Sequence, residues 1–115
     1  FQTVEGFTVH AGERSDQFRG ILESYGLNGQ EIRDFIEFWD DMLDKDTDYR
    51  MYPQTTELVD AAMPLVIEGT SPDHYFRIWF CFRPVDSHTP EPSIPEIRPA
   101  SHEGTSLIEW GGMIL

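Results

Sequence analysis

The sequence predicts an α+β domain in which an N-terminal helical hairpin packs on an antiparallel sheet of four or five strands. Three observations predict it. Apolar residues recur with a helical period between residues 15 and 43. From residue 49 the period drops to two, most clearly in "HYFRIWFCFRP". The two helical stretches are joined by about two residues, which makes them antiparallel neighbours.

"GFTV", residues 6 to 9, reads as a short strand. In "SDQFRGILESYG" Ser15 is the expected N-cap, and Phe18, Ile21, Leu22 and Tyr25 fall on one helical face. Gly26 stops that helix, since glycine accepts the left-handed conformation of a helix end. Gly20 inside it costs about 1 kcal/mol against alanine. "LNGQEIRDFIEFWDDML" is the strongest helix. Asn28 and Glu31 have capping-box spacing, and Leu27 and Ile32 are placed to form a hydrophobic staple. Ile32, Phe35, Ile36, Trp39, Met42 and Leu43 make one apolar stripe, with the acidic residues mainly off it.

"YRMY" and "MPLVIEG" are expected strands, the second with Pro64 at its beginning or on an edge. In "HYFRIWFCFRP", Phe76, Ile78, Phe80 and Phe82 face the core. Tyr75, Arg77, Trp79, Cys81 and Arg83 form a second face, half polar and expected to be half exposed. Residues 84–99 carry five prolines and read as an extended segment, a surface loop or an edge cover. "SLIEWGGMIL" is the last strand, where Gly111 and Gly112 mark a bulge or a close backbone approach.

The 115 residues fit one domain, 1–115, of a size that folds without a metal or disulfide. The chain begins at Phe1 rather than Met, which points to a processed protein or a fragment. The net charge of −13 repels phosphate backbones and anionic membranes, so nucleic acid is not an expected partner. No apolar run approaches the ~20 residues of a membrane span, so no membrane insertion is expected. The cations are seven arginines and Lys45, a balance that suits fixed ion pairs as well as it suits codon bias.

Little in the chain has the spacing of chemistry. In "DMLDKDTDYRMY", Asp44, Asp46 and Asp48 alternate like calcium ligands. A calcium loop begun at Asp44 needs Gly where Tyr49 stands and Glu where Thr55 stands. The stretch reads as a solvated helix end. His10, His74, His88 and His102 are too scattered for a short-range zinc pair, and no metal or cofactor is expected. Cys81 sits mid-strand among aromatics, where a buried thiol is expected rather than a nucleophile. No nucleophile elbow or glycine-rich phosphate loop is present, and no catalytic residue is assigned. Tyr75, Arg77 and Trp79 remain as a candidate ligand platform for sugar or peptide, against the alternative that another element covers them.

Three stretches carry a resemblance: "GLNGQEIRDFIEFW" (26–39), "SPDHYFRIWFCFRPVD" (71–86) and "SLIEWGGMIL" (106–115). They resemble a family of uncharacterised bacterial secreted or cell-surface domains with a C-terminal VEWGG-like motif. In that family the stretches look like G-L-N-x-x-E-x-x-D-F-I-x-Y-W, P-D-x-x-x-R-V-x-M and F-T-V-V-E-W-G-G. The chain departs with Phe38 before Trp39, Ile78 in place of Val, and Thr105-Ser106 in place of Phe-Thr. The resemblance implies a location, extracellular or in the cell envelope, rather than an activity. It marks Trp39, Arg77, Glu109, Trp110, Gly111 and Gly112 as structural positions.

Arg77 and Glu109 both fall on strands and are expected to pair across the sheet, with Trp110 in the core; the rival is an Arg77 that waits for an anionic ligand. The preferred function is a non-enzymatic accessory or interaction module with a protein or carbohydrate partner. The alternative is a small hydrolase or metal-dependent enzyme using dispersed histidines and acids.

Overall fold

Two local devices set the helical hairpin. Gly26 adopts φ +80°, which ends the first helix. Asn28 then starts the second: its side chain accepts from the Glu31 N–H, and Glu31 accepts from the Asn28 N–H. In the computed structural model, which describes residues 1–64 and 72–115, these helices are α1 (Arg14–Ser24) and α2 (Gly29–Met42). Around them the chain forms β1 (Phe7–Val9), β2 (Tyr49–Gln54), α3 (Thr56–Ala62), β3 (His74–Pro84) and β4 (Ser106–Ile114). The α+β class is thus established, with α1 and α2 packed on a four-stranded sheet.

The sheet order is β1-β2-β3-β4. β1–β2 and β2–β3 are antiparallel, but β4 runs parallel to β3, so the sheet is mixed rather than antiparallel throughout. The cause is the connection. Residues 85–105 carry the chain back to the start of β3, and a parallel neighbour requires a crossover of roughly a dozen residues or more. On the way this proline-rich segment pairs with the stretch just before β1. Ser93 bridges Glu5 in parallel, with Gly6 N–H donating to Ser93 O and Ser93 N–H to Val4 O, both at 2.9 Å. It then docks on the α1 terminus, where the Ala100 N–H donates to Tyr25 O at 2.8 Å.

One face of the sheet meets the hairpin. Phe80 and Phe82 of β3 are fully enclosed by Phe18 and Tyr25 of the first helical stretch and by Phe35 and Trp39 of α2. Most of the ring pairs are edge-to-face, the preferred aromatic geometry. The helical stripe is core except at Met42, which is exposed in the last turn of α2.

The second face expected to be half exposed is so on β3 at Arg83, which is exposed, and at Tyr75 and Trp79, which are half-buried, while the rest of it is covered. Arg50, Tyr52, Gln54, Arg77 and Cys81 are all buried on it. Gln2 and Gln54 exchange two hydrogen bonds of 2.8 Å, laying the N-terminal segment across β2. Helix α3 covers the first half of β3. Its sequence "TELVDAA" lies in a region whose period reads as strand, and its formation is a correction to that reading. The strand expected over "MPLVIEG" falls mainly on residues 65–69, outside the described residues. Ser15 is not an N-cap either: α1 begins one residue earlier and is preceded by a 3-10 turn, Ala11–Glu13. That turn starts early because its cap comes from afar, from the Asp48 carboxylate, which accepts from the Ala11 N–H at 2.9 Å.

β4 explains "EWGG". Its register with β3 is continuous, Ile78↔Trp110, Trp79↔Gly111, Phe80↔Gly112, so there is no bulge. The glycines serve close approach on opposite faces. A Cβ on Gly111 would stand 3.0 Å from the Trp79 ring. One on Gly112 would stand 2.7 Å from Trp39 and 2.6 Å from the Phe80 carbonyl oxygen. The two glycines are therefore expected to behave unlike Gly20, which has open space around it in α1. Gly112→Ala should destabilise by about 1–3 kcal/mol through overpacking. Gly20→Ala should stabilise by up to about 1 kcal/mol through helix propensity. Urea denaturation of both variants checks the pair, and a neutral Gly112→Ala would refute the packing account.

Candidate functional site

β2 stops at Gln54, opposite Trp79, while β3 continues from Ile78 back to His74. This overhang leaves β3 without a neighbour on the β2 side. Thr56, at the start of α3, supplies what the missing strand does not. Its hydroxyl accepts from the Arg77 N–H at 2.9 Å and donates to the Arg77 carbonyl at 3.1 Å. Beside this notch opens a cleft of about 580 Å³. Its walls come from five separate stretches, represented by Glu5, Tyr25, Glu57, Phe76 and Glu96 with Arg98.

The three residues expected to form a ligand platform have different positions. Tyr75 and Arg77 line the cleft; Trp79 does not, and its ring lies against Gly111 instead. The Arg77 side chain is buried and heavily engaged. It donates to Glu109 Oε2 from Nε at 2.5 Å, to Asp60 Oδ1 at 3.0 Å, and to the Met63 carbonyl. The Tyr75 hydroxyl donates to the same Asp60 oxygen at 2.8 Å. These donors hold the Asp60 carboxyl below its usual range, the Tyr75 hydroxyl first and Arg77 second. Burial, and then the bond to Asp60, push the Tyr75 phenol up. The Glu109 bond raises the already high Arg77 value. Arg77 is therefore the centre of a cross-element ion cluster joining β3, β4 and α3, and its charge is matched within the fold. Trp110, next to Glu109, turns to the other face and packs on Phe35 at a ring distance of 5.3 Å.

Tyr25 has the opposite environment. It is 4% exposed, and its hydroxyl has no hydrogen-bond partner among the described residues. Burial first, and the carboxylate of Glu5 second, push its phenol well above the usual range. A buried hydroxyl without a partner is costly, roughly 1–3 kcal/mol, and calls for an explanation. Sequence periodicity places Tyr25 only as the last apolar position of a helix. The glutamates carry no motif at all, because nothing local links residues 5, 57 and 96.

The acidic turn is built for structure. The Arg14 guanidinium, 3% exposed, donates to the carbonyls of Asp44 at 2.6 Å and Thr47 at 2.8 Å, and sits 5.5 Å from the Tyr49 ring centre. Asp44 turns its carboxylate to the Asp46 N–H, while Asp48 serves Ala11 and, at 3.2 Å, His10. The three aspartates do not converge, and among the described residues no group of three or more His, Cys, Asp or Glu side chains is placed to hold a metal ion. His102 reaches a different carboxylate, Glu31, at 3.1 Å. Cys81 is buried, and burial pushes its thiol up. Among the described residues no helix is long and apolar enough to cross a membrane.

Two measurements follow from this geometry. Arg77→Ala should destabilise by about 3 kcal/mol, because it strands two carboxylates, and Glu109→Gln by only about 1 kcal/mol, because Asp60 remains. Equal effects in urea melts would contradict the central place of Arg77. The second concerns acid. Asp48's carboxyl lies below its ordinary 3.8, held there first by the Ala11 N–H and then by His10. Its stabilisation is complete above that ordinary value and is lost as pH falls through the depressed one. The melting-temperature gap between wild type and Asp48→Asn should therefore shrink as pH falls from about 4 to about 2. A gap that stays constant or widens would exclude the role.

In comparisons with protein-family models, curated proteins and solved structures, the chain matches no family model, no curated protein and no solved structure.

Proposed function

We propose that this domain is a non-enzymatic accessory or interaction module of an extracellular or cell-envelope protein, and that its binding site is the cleft at the β3 overhang. The observation that carries the reading is the cleft's lining. Rings and carboxylates surround about 580 Å³, with no histidine and no cysteine among the lining residues. That volume lies in the range of small-ligand sites. An enzyme working through dispersed histidines would bring them together with acids. Here His10 and His102 each face one carboxylate, Asp48 and Glu31, in separate pairs. A protein or carbohydrate partner suits the cleft, and the strongly acidic surface disfavours nucleic acid. The extracellular or envelope location rests on the three sequence stretches that resemble bacterial surface domains.

The test is an array of immobilised peptides and glycans probed with the wild-type domain and with Glu57→Arg, a change on an exposed cleft wall. The expected result is retention of one ligand class with an affinity of order micromolar and its loss in the variant. Turnover of ester, peptide, glycoside or phosphate substrates without any such binding would replace this reading with the enzymatic one.

A further inference from the structure

The module reading leaves the chemistry of the ligand open, and the cleft itself narrows it. We propose, resting on that reading, that the cleft takes a protonated amine or guanidinium on an apolar stem, presented as a lysine or arginine side chain of a partner protein.

Charge comes first. Of the two arginines lining the cleft, Arg77 is engaged by Asp60 and Glu109. Arg98 is 74% exposed in its side chain and stands 3.8 Å from Glu96. Neither Glu5 nor Glu57 takes part in an ion pair among the described residues. The cleft thus holds two uncompensated carboxylates in a chain of net charge −13. With Arg77 matched by Asp60 and Glu109 and Arg98 beside Glu96, the lining keeps an excess of negative charge, which raises the local concentration of cations.

The second observation is independent of charge. Tyr25 lines the cleft, and its enclosed hydroxyl lacks a partner. The oxygen of a neutral phenol accepts a hydrogen bond, and an arriving ammonium or guanidinium N–H supplies one. Tyr25, Tyr75 and Phe76 also line the cleft, Tyr75 and Phe76 from opposite sides of the β3 edge. They give an aliphatic stem apolar surface and give its cationic head the negative face of an aromatic ring. An anion meets Glu5 and Glu57, unpaired among the described residues, instead, with the guanidinium of Arg77 already bonded on both sides and Arg98 beside Glu96.

The experiment is an NMR titration of the isotope-labelled domain with four probes: acetyl-Gly-Lys-Gly-amide, the same peptide with norleucine for lysine, spermidine, and a neutral oligosaccharide. The lysine peptide should shift the amide signals of Glu5, Thr56, Tyr75 and Glu96. Norleucine should weaken binding at least about fivefold, a loss of roughly one kcal/mol. Raising salt from about 20 mM to about 150 mM should weaken the lysine peptide further, since the Debye length shrinks to about 8 Å.

Tyr25→Phe should lower the affinity several-fold while leaving the melting temperature unchanged or higher, because it removes a hydroxyl that has no partner in the free protein. A purely structural tyrosine would not separate these readouts. Glu57→Gln should also weaken binding. Equal binding of the norleucine and lysine peptides overturns the proposal, as does spermidine binding without the peptide, or no shift at these amides with any cationic probe. Shifts of the same amides by the oligosaccharide alone would overturn the cationic class while the module survives. Silence of the cleft to every probe, together with an enzymatic turnover, would remove both.

Discussion

The rest of the structure depends on the register of β4 against β3. Four consecutive residues of β4, Glu109 to Gly112, alternate between the two faces of the sheet, and each meets a large partner. Glu109 meets the guanidinium of Arg77 on one face. Trp110 meets Phe35 on the other. Gly111 lies against Trp79, and Gly112 against Trp39. A slip of one residue exchanges the faces. It would place Trp110 on the Arg77 side and move each glycine away from the ring that needs its space. The parallel strand is fixed by side-chain volume and charge, with no tight turn to set it.

Arg77 is the pivot on the less apolar face. A guanidinium at 3% exposure is tolerable only with near-complete bonding, and β4, α3 and the end of α3 all contribute acceptors. Cross-linking recurs at Arg14, which ties the turn after α2 to the start of α1 although its Nε has no partner among the described residues, and at Arg50, which reaches Thr8, Pro90 and Glu91. Three of the seven arginines are thus buried as cross-links between segments distant in sequence. The planar fork bonds several acceptors at once, which a lysine ammonium does less well. The acidic composition therefore coexists with an interior held by cations.

The cleft is a by-product of the same layout. β2 ends early because Thr55 and Thr56 turn the chain into α3, and Thr56 then completes the bonding of β3. The proline-rich segment passes Glu5 and crosses to Tyr25, forming the opposite wall. Proline suits this path because an extended strap along an edge needs few N–H donors, and only Ser93 and Ala100 are required to give them at these crossings.

Much of this was legible from residue order. Helical spacing located Phe18, Leu22, Phe35 and Trp39 in the core, Gly26 and the Asn28–Glu31 box set the hairpin, and alternation marked β3 from His74 to Pro84. These features arise from interactions within a few residues, so the local pattern carries them. What the sequence could not determine was settled by contacts across the fold. The direction of β4 depended on where a long connection ran. The burial of Arg77, Gln54 and Tyr52 depended on which segments came to lie over them. The helix at Thr56–Ala62 formed inside a region whose period reads as strand, and packing on β3 decided it. The cleft joined Glu5, Tyr25, Glu57 and Glu96, residues with no spacing in common. Such a site exists only after folding, because it is made of distances between elements.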